Sequence, residues 1–419
     1  MGLVAGIDFG TSGARCIVID QESRIRFETS RPFPAYASLD NLAAIWQQSL
    51  FFLIRDIPAH LKAEIQRLAI DATSSTVLLC DQRGLPITIP LLYNDDRAKE
   101  VLPIVQGIAP ADHVVLSATS SLCKLFWFLR HIPHPEDTHF LHQADWLAFL
   151  LHRQIGITDY HNALKLGYDV ANLAYPDWLL SQPLPVRLPE VKPPGTAIAP
   201  VAANLAKRFG LSPDCIVCTG TTDSNAAFLA SRASTPGEAV TSLGSTLVVK
   251  LLSQTPVNNS SYGIYSHRLG DLWLVGGASN AGGAVLRRYF SDEELELLSE
   301  KIDPAVASPL QYYPLLKPGD RFPINDPDLP PRLEPVPDDR IDFLHGILES
   351  LARIEAKGYQ LLQELGASPL KCVYSAGGGA QNLIWQKIRH RHLGVAMAES
   401  QNTEAAYGAA LLAKTSLSH

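Results

Sequence analysis

Leu3-Val4-Ala5-Gly6-Ile7-Asp8-Phe9-Gly10-Thr11-Ser12-Gly13-Ala14-Arg15-Cys16-Ile17-Val18-Ile19 is the stretch that decides the class of fold. Two short apolar runs, Leu3 to Ile7 and Cys16 to Ile19, flank a turn of small residues, the pattern of strand, turn and strand. Asp8 falls at the end of the first strand. The backbone N–H groups that follow it can turn towards an anion, and the glycines allow that turn without strain. A plain hairpin with a solvated Asp8 is the alternative that the pattern leaves open. The loop is neither a P-loop, since no Gly-Lys dipeptide occurs in the chain, nor G-x-G-x-x-G. Ala239 to Leu252 repeats the same pattern around Gly244-Ser245-Thr246. A duplicated domain with a ligand between its halves would produce this echo, as would two unrelated hairpins.

Outward from these turns, a chain of 419 residues exceeds what one hydrophobic core usually serves and reads as two domains of roughly 200 residues each. Leu42, Ile45, Trp46, Leu50, Leu53 and Ile54 recur at helical spacing, as do Ile341, Leu344, Leu348, Leu351 and Ile354 up to Gly366. With strands at Leu68 to Ile70 and Val77 to Cys80, the class is mixed α/β. Proline-rich windows, Pro183 to Pro200 and Pro314 to Pro337, read as loops or linkers. The charge of −7, from 35 Lys+Arg and 42 Asp+Glu with no basic run, argues against a nucleic-acid or anionic-membrane partner. No apolar stretch reaches the ~18 residues of a membrane span. Met1 to Gly10 lacks a basic leader, so a cytoplasmic protein is expected. The six cysteines (16, 80, 123, 215, 218 and 372) are too sparse for a disulfide framework and read as reduced, mostly buried thiols.

Several segments carry chemistry-bearing residues, each with a bland alternative. In Thr219-Gly220-Thr221-Thr222-Asp223-Ser224, Asp223 stands at a strand-to-helix junction, as a base aimed into a cleft or as a helix-start carboxylate. Ser375-Ala376-Gly377-Gly378-Gly379-Ala380-Gln381-Asn382 offers bare backbone to a ring or phosphate, or to close packing. Leu92-Tyr93-Asn94-Asp95-Asp96-Arg97 supplies the amide and carboxylate that bind sugar hydroxyls, or an N-cap. Asp71-Ala72-Thr73-Ser74-Ser75 is a turn or a hydroxyl-binding rim. Cys215-x-x-Cys218 has no second pair to complete a zinc site. His131, His134, His139 and His142 straddle Pro133 and Pro135 and read as surface histidines. Gly277-Ala278-Ser279-Asn280-Ala281 lacks the last glycine of a nucleophile elbow.

In order, these segments resemble the FGGY family of carbohydrate kinases. Gly6 to Ser12 resembles its first phosphate motif, Tyr93-Asn94-Asp95-Asp96-Arg97 its W-N-D-x-R, and Ser121 to Trp127, through Lys124-x-x-Trp127, its S-x-x-x-K-x-x-W segment. Thr158 to Ala163 resembles T-D-x-S-N-A, Gly220 to Asp223 the catalytic G-x-x-D, and Leu243 to Thr246 the second phosphate turn. Gly276 to Gly282, Gly319 to Pro323, the tri-glycine segment and Glu404 to Ala410 complete the match. Tyr93 stands where the family has Trp, and His161 where it has Ser.

The resemblance implies an actin-like, RNase H-like, duplicated two-domain ATPase fold with an interdomain cleft. It divides the chain into 1–225 (sugar binding and the first phosphate motif) and 226–401 (ATP binding), with a last helix, about 402–419, packing back on the first domain. It also implies roles. Asp223 would accept the sugar's proton, and Asp8, directly or through water, would hold Mg²⁺ together with Asp223. Thr11, Ser12, Gly13, Arg15, Gly244, Ser245 and Thr246 would face the phosphates. Gly378, Gly379 and Asn382 would line the adenosine pocket, while Ser74, Asn94 and Asp95, with Asp8 and Asp223, would hold the sugar. Asp71 to Ser75 is similar to the D-A-T-C-S of ribulokinase-type members, so the expected acceptor is D-ribulose, with D-xylulose second. The expected partners are a ketose and ATP, and the expected assembly is a monomer or homodimer. A reading of another class is a non-catalytic actin-like nucleotide sensor, which would bind ATP and turn over no sugar.

Overall fold

The computed structural model describes residues 2–415 of the 419. They form two compact units: the first runs to Ala230 and resumes at Asn402, and the second is Ser231–Gln401. The helix Asp223–Ala230 continues through the expected boundary at 225 and lies whole in the first unit. The helix Ala405–Thr415 belongs to that unit too, while 416–419 of the expected final segment lie outside the described residues.

The strands of the first unit are β1 (Leu3–Phe9), β2 (Gly13–Ile19), β3 (Ile25–Pro32), β4 (Ile65–Ala72), β5 (Val77–Cys80), β6 (His139–His142), β7 (Ile157–Asp159), β8 (Glu190–Lys192), β9 (Ala197–Pro200), β10 (Ile216–Cys218) and β11 (Thr221–Thr222). Those of the second are β12 (Glu238–Leu243), β13 (Leu247–Ser253), β14 (Tyr265–Leu269), β15 (Leu272–Ser279), β16 (Cys372–Ala376) and β17 (Ala396–Ala398). The first main sheet runs β3-β2-β1-β4-β10-β9 with β11 also on β4, and the second runs β14-β15-β13-β12-β16-β17. Two small sheets, β5-β6 and β7-β8, complete the first unit.

In the first sheet β1 pairs antiparallel with β2 and parallel with β4; in the second, β12 pairs antiparallel with β13 and parallel with β16. The echo seen in the sequence is therefore a repeat of topology, since unrelated hairpins need not share a parallel neighbour. Parallel strands require a crossover. The helices Leu42–Asp56 and Arg340–Glu364 lie in these crossovers, and each buries its apolar stripe. The window Pro183 to Pro200 is more regular than expected, because it contains β8 and β9. β9 ends its sheet and β8 belongs to a two-stranded one, positions where a missing backbone donor is tolerated.

Bare backbone fixes how the terminal helix lies in the first unit. A Cβ on Gly6 would stand 2.0 Å from the Ala406 carbonyl oxygen, and one on Gly408 would stand 1.8 Å from that of Ala226. The helix Ala405–Thr415 thus rests directly on β1 and on the helix that begins at Asp223. Gly408→Val should lower Tm through overpacking worth about 1–3 kcal/mol or more. Gly107→Ala, where nothing lies within 4 Å, should not. Thermal unfolding checks both, and an unchanged Tm for Gly408→Val would contradict the close contact.

Candidate active site

Strand register assembles three carboxylates in the first unit. Asp8 on β1 stands opposite Asp71 on β4, and Thr221 of β11 stands opposite Asp71 from the other side, so β11 delivers Asp223 immediately beyond. Asp71 is completely buried, whereas Asp8 and Asp223 keep partial access. Asp223 Oδ1 accepts the Ser224 N–H at 2.6 Å. Among the described residues, no N–H or hydroxyl group donates to Asp8 Oδ1 or to either oxygen of Asp71. The two carboxyls instead act electrostatically on each other. Burial pushes Asp8 up to about 6, reinforced by the charges of Asp223 and Glu404 and opposed by Asp71's hydrogen bond and by Arg15. Burial, then the neighbouring Asp8, holds Asp71 well above the usual carboxylate range.

Buried carboxylates without donors are costly. They suit a site that receives a cation. No group of three or more acidic, His or Cys side chains able to hold a metal occurs among the described residues. Mg²⁺ needs no such cage, since one or two carboxylates, waters and phosphate oxygens suffice. The Asp8–Asp71 pair fits that requirement, with Asp223 beside it.

The turn after β1 closes through Gly10 N–H to Gly13 O at 3.0 Å, and Ser12 O accepts the Phe33 N–H at 2.8 Å. Thr11 and Ser12 are left exposed, while Gly13 opens β2. Arg15 is committed elsewhere than expected, in an ion pair with Glu404 ahead of the terminal helix.

The sugar-type segments are held by a residue whose role the sequence did not reveal. Lys124, on the helix Ser121–His131, is fully buried and donates to Ser75 O at 2.7 Å and Leu92 O at 2.6 Å. One ammonium therefore ties the turn bearing Ser74 to the segment bearing Asn94 and Asp95. Burial lowers it to about 7 against the opposing pull of Asp95. Asp95 takes both a backbone and side-chain hydrogen bonds from Arg97, whose guanidinium lies 5.2 Å over Trp127. Asn94 is exposed, and Asp96, not Asn94 or Asp95, occupies the N-cap position of the 3₁₀ turn Arg97–Val101. The Lys and Trp of the S-x-x-x-K-x-x-W segment thus both serve Asn94-Asp95-x-Arg97.

His161 also acquires a place. Asp159 caps the helix Tyr160–Ala163, accepting from the His161 and Asn162 N–H groups at 2.8 and 3.0 Å. This presents His161 Nδ1 to Thr221 Oγ1 at 2.6 Å, two residues before Asp223. His142 is not on the surface as expected. It is fully buried, with Nδ1 3.0 Å from Asp145 and Nε2 3.2 Å from Ser121 Oγ. Cys215 and Cys218 are buried thiols, not joined in a disulfide.

In the second unit, Gly244-Ser245-Thr246 joins β12 to β13, and Ser245 and Thr246 are exposed. The tri-glycine segment follows β16. Gly377 turns at φ +82°, and a Cβ on Gly378 would meet nothing within 4 Å, which leaves that backbone open to a ligand. Gly379 is different: its Cβ would meet the Trp385 ring at 2.4 Å, so packing alone demands glycine. Asn382 caps the helix Leu383–Leu393, accepting the Trp385 N–H at 2.9 Å and donating to Ser299 Oγ at 2.7 Å. Beneath both loops lies a buried ion pair. Glu355 accepts from Arg389 Nε and Nη2, each at 2.7 Å, and from Thr241 of β12 at 2.5 Å, while Arg389 Nη1 reaches Ser375 of β16 at 2.6 Å.

Residues 3–230 match the FGGY family of carbohydrate kinases, N-terminal domain, and residues 239–417 match its C-terminal domain. The chain belongs to the FGGY family of carbohydrate kinases. This FGGY chain is 24% identical to a xylulose kinase of Bacillus subtilis (strain 168), covering 99% of itself and 88% of that protein. It is 20% identical to a gluconokinase of the same strain, over 91% and 81%. Its fold is that of solved family structures. A ligand-bound xylulose kinase from Lactobacillus acidophilus superposes with a TM-score of 0.83 at 15% identity, covering 100% of this chain and 90% of that one. The same values at 16% identity hold for Plasmodium falciparum glycerol kinase with ADP. The fold is accordingly the two-domain, actin-like α/β ATPase fold.

Two predictions follow for this FGGY kinase. Because the folded chain binds protons at Asp8 between pH 3.8 and about 6 that the unfolded chain releases, stability falls as pH rises through that window. Asp71→Asn removes a carboxyl that the fold keeps protonated and the unfolded chain ionises, so its Tm should exceed that of the unaltered chain above pH 6 and match it near pH 4. Equal Tm values across the range would contradict the raised affinity of this pair for protons. Lys124→Met should cost about 1–3 kcal/mol for each carbonyl left without a donor. It should also raise KM for the sugar far more than KM for the nucleotide in steady-state kinetics, and equal changes would refute its positioning role.

Proposed function

We propose that the chain transfers the γ-phosphoryl group of Mg-ATP to the terminal hydroxyl of a ketopentose, D-ribulose by preference and D-xylulose second. The observation that carries this reading is the position of Asp223 beside Asp71 and Asp8, of which both Asp71 oxygens and Asp8 Oδ1 lack donors among the described residues. Asp223 accepts the proton of the attacking hydroxyl as the O–P bond forms, while Asp8, with Asp71 behind it, presents negative charge to the metal. Mg²⁺, when bound, neutralises charge on the phosphate oxygens. Thr11 and Ser12 of the first turn, and Gly244, Ser245 and Thr246 of the second, supply short polar groups and backbone donors for those oxygens. The open backbone at Gly378 and the capped start of the helix Leu383–Leu393 suit the adenosine. Phosphoryl transfer through a loose transition state depends on alignment and charge stabilisation more than on a strong base, so an ordinary Asp suffices.

Ser74, Asn94 and Asp95, joined through Lys124, form the acceptor side. The Asp71-Ala72-Thr73-Ser74-Ser75 segment favours D-ribulose, whereas the xylulose kinases among the relatives favour D-xylulose as the second reading. ADP release from Mg-ATP with D-ribulose, D-xylulose, L-ribulose, glycerol and no sugar tests the proposal. Turnover should be highest with D-ribulose, and Asp223→Asn should lower kcat by about 10²–10⁴-fold. ATP binding without stimulation by any of these acceptors would refute the kinase reading and favour a nucleotide sensor.

A further inference from the structure

We infer that Arg287 is a phosphate-binding residue of the nucleotide site, a cation that engages the terminal phosphates of ATP or ADP at the Gly244-Ser245-Thr246 turn. This role presupposes the phosphotransferase reading above and adds to it a residue outside the phosphate motifs of the sequence. The helix Gly283–Tyr289 is pressed against the turn: Gly283 N–H donates to Gly244 O at 2.8 Å, and Ala284 N–H to Ser245 O at 3.1 Å. Cβ atoms on Gly282 and Gly283 would stand 2.7 and 2.6 Å from those same carbonyl oxygens, of Ser245 and Gly244 respectively. Only bare backbone permits the approach.

One turn along the helix, this contact brings Arg287 to the phosphate turn, where its Nη2 donates to Ser245 Oγ at 2.7 Å. Arg287, Ser245 and Thr246 are all exposed, so the guanidinium is accessible and serves no core. Its charge is also uncompensated. Arg15 pairs with Glu404, Arg389 with Glu355, Arg391 with Glu349 and Arg340 with Glu294, whereas no carboxylate pairs with Arg287 among the described residues. The adjacent Arg288 lines a separate hollow with Tyr289, Arg332 and Glu334. A guanidinium oriented by one neutral hydroxyl keeps its remaining N–H donors for a planar, paired contact with phosphate oxygens. The Ser245 hydroxyl at 2.7 Å and the exposed Thr246 beside it add hydroxyl groups to the same turn.

Calorimetric titration of the full chain with ATP, ADP and AMP in the presence of Mg²⁺ tests the inference. Arg287→Gln keeps an amide near Ser245 without the charge, and Arg287→Lys keeps the charge without the fork. The Gln variant should bind ATP and ADP about tenfold or more weakly, leave AMP nearly unaffected and retain its Tm, with the Lys variant intermediate. Unchanged ATP affinity in the Gln variant would overturn the assignment, as would an equal loss for all three nucleotides, which marks a merely structural residue. If the unaltered chain binds none of them, the phosphotransferase reading falls and the role of Arg287 with it.

Discussion

Asp8 and Asp71 stand side by side because β1 and β4 pair in parallel at matched register, and among the described residues neither Asp8 Oδ1 nor either oxygen of Asp71 receives the donor that a buried carboxylate oxygen normally needs. This unfavourable arrangement requires support from the rest of the unit. The terminal helix lies against the bare backbone of β1 at Gly6. The same helix meets the Asp223 helix at Gly408, so one element fixes the positions of two of the three carboxylates. Strain of this kind commonly marks a functional site: the groups are held ready for a charge that arrives with the substrate.

The second unit solves a related problem with a compensated charge. Glu355 and Arg389 are fully buried, yet each is saturated by the other and by Thr241 and Ser375. Such a pair contributes little net stability, but removing one partner costs about 3–5 kcal/mol. Its bonds fall on β12 and β16, the strands that carry Gly244 and Gly377. The pair therefore braces two strands that are already neighbours in the sheet, with Thr241 opposite Ser375. The two units share a topology but differ in electrostatics: an open demand for cation at the end of β1, and a closed ion pair beneath the loops after β12 and β16.

Much of this was legible in the residues. The strand, turn and strand around Asp8, its echo at Gly244, the helical stripe from Leu42 to Ile54 and the junction at Asp223 are local patterns, and local patterns survive into the fold. What escaped depends on partners distant in sequence. Lys124 reaches Ser75 and Leu92, and His142 reaches Ser121, so neither burial could be read from neighbours. Glu355 left a faint signal, since it interrupts the apolar stripe beside Ile354 and thus required a buried cation. Arg287 left none, because its position depends on how closely Gly282 and Gly283 let their helix approach the turn. Asn382 and Gly379 show the converse: both lie in the expected motif, yet capping and packing account for their side-chain identity.

The most direct test of the central claim, that these carboxylates serve phosphoryl transfer to a sugar and not to water, is ³¹P NMR of the chain incubated with Mg-ATP and D-ribulose. The account predicts that loss of the γ-phosphorus resonance is matched by a phosphomonoester signal correlated with the protons of the sugar's terminal C5 methylene. Inorganic phosphate as the sole new resonance, formed at the same rate without sugar, would contradict it.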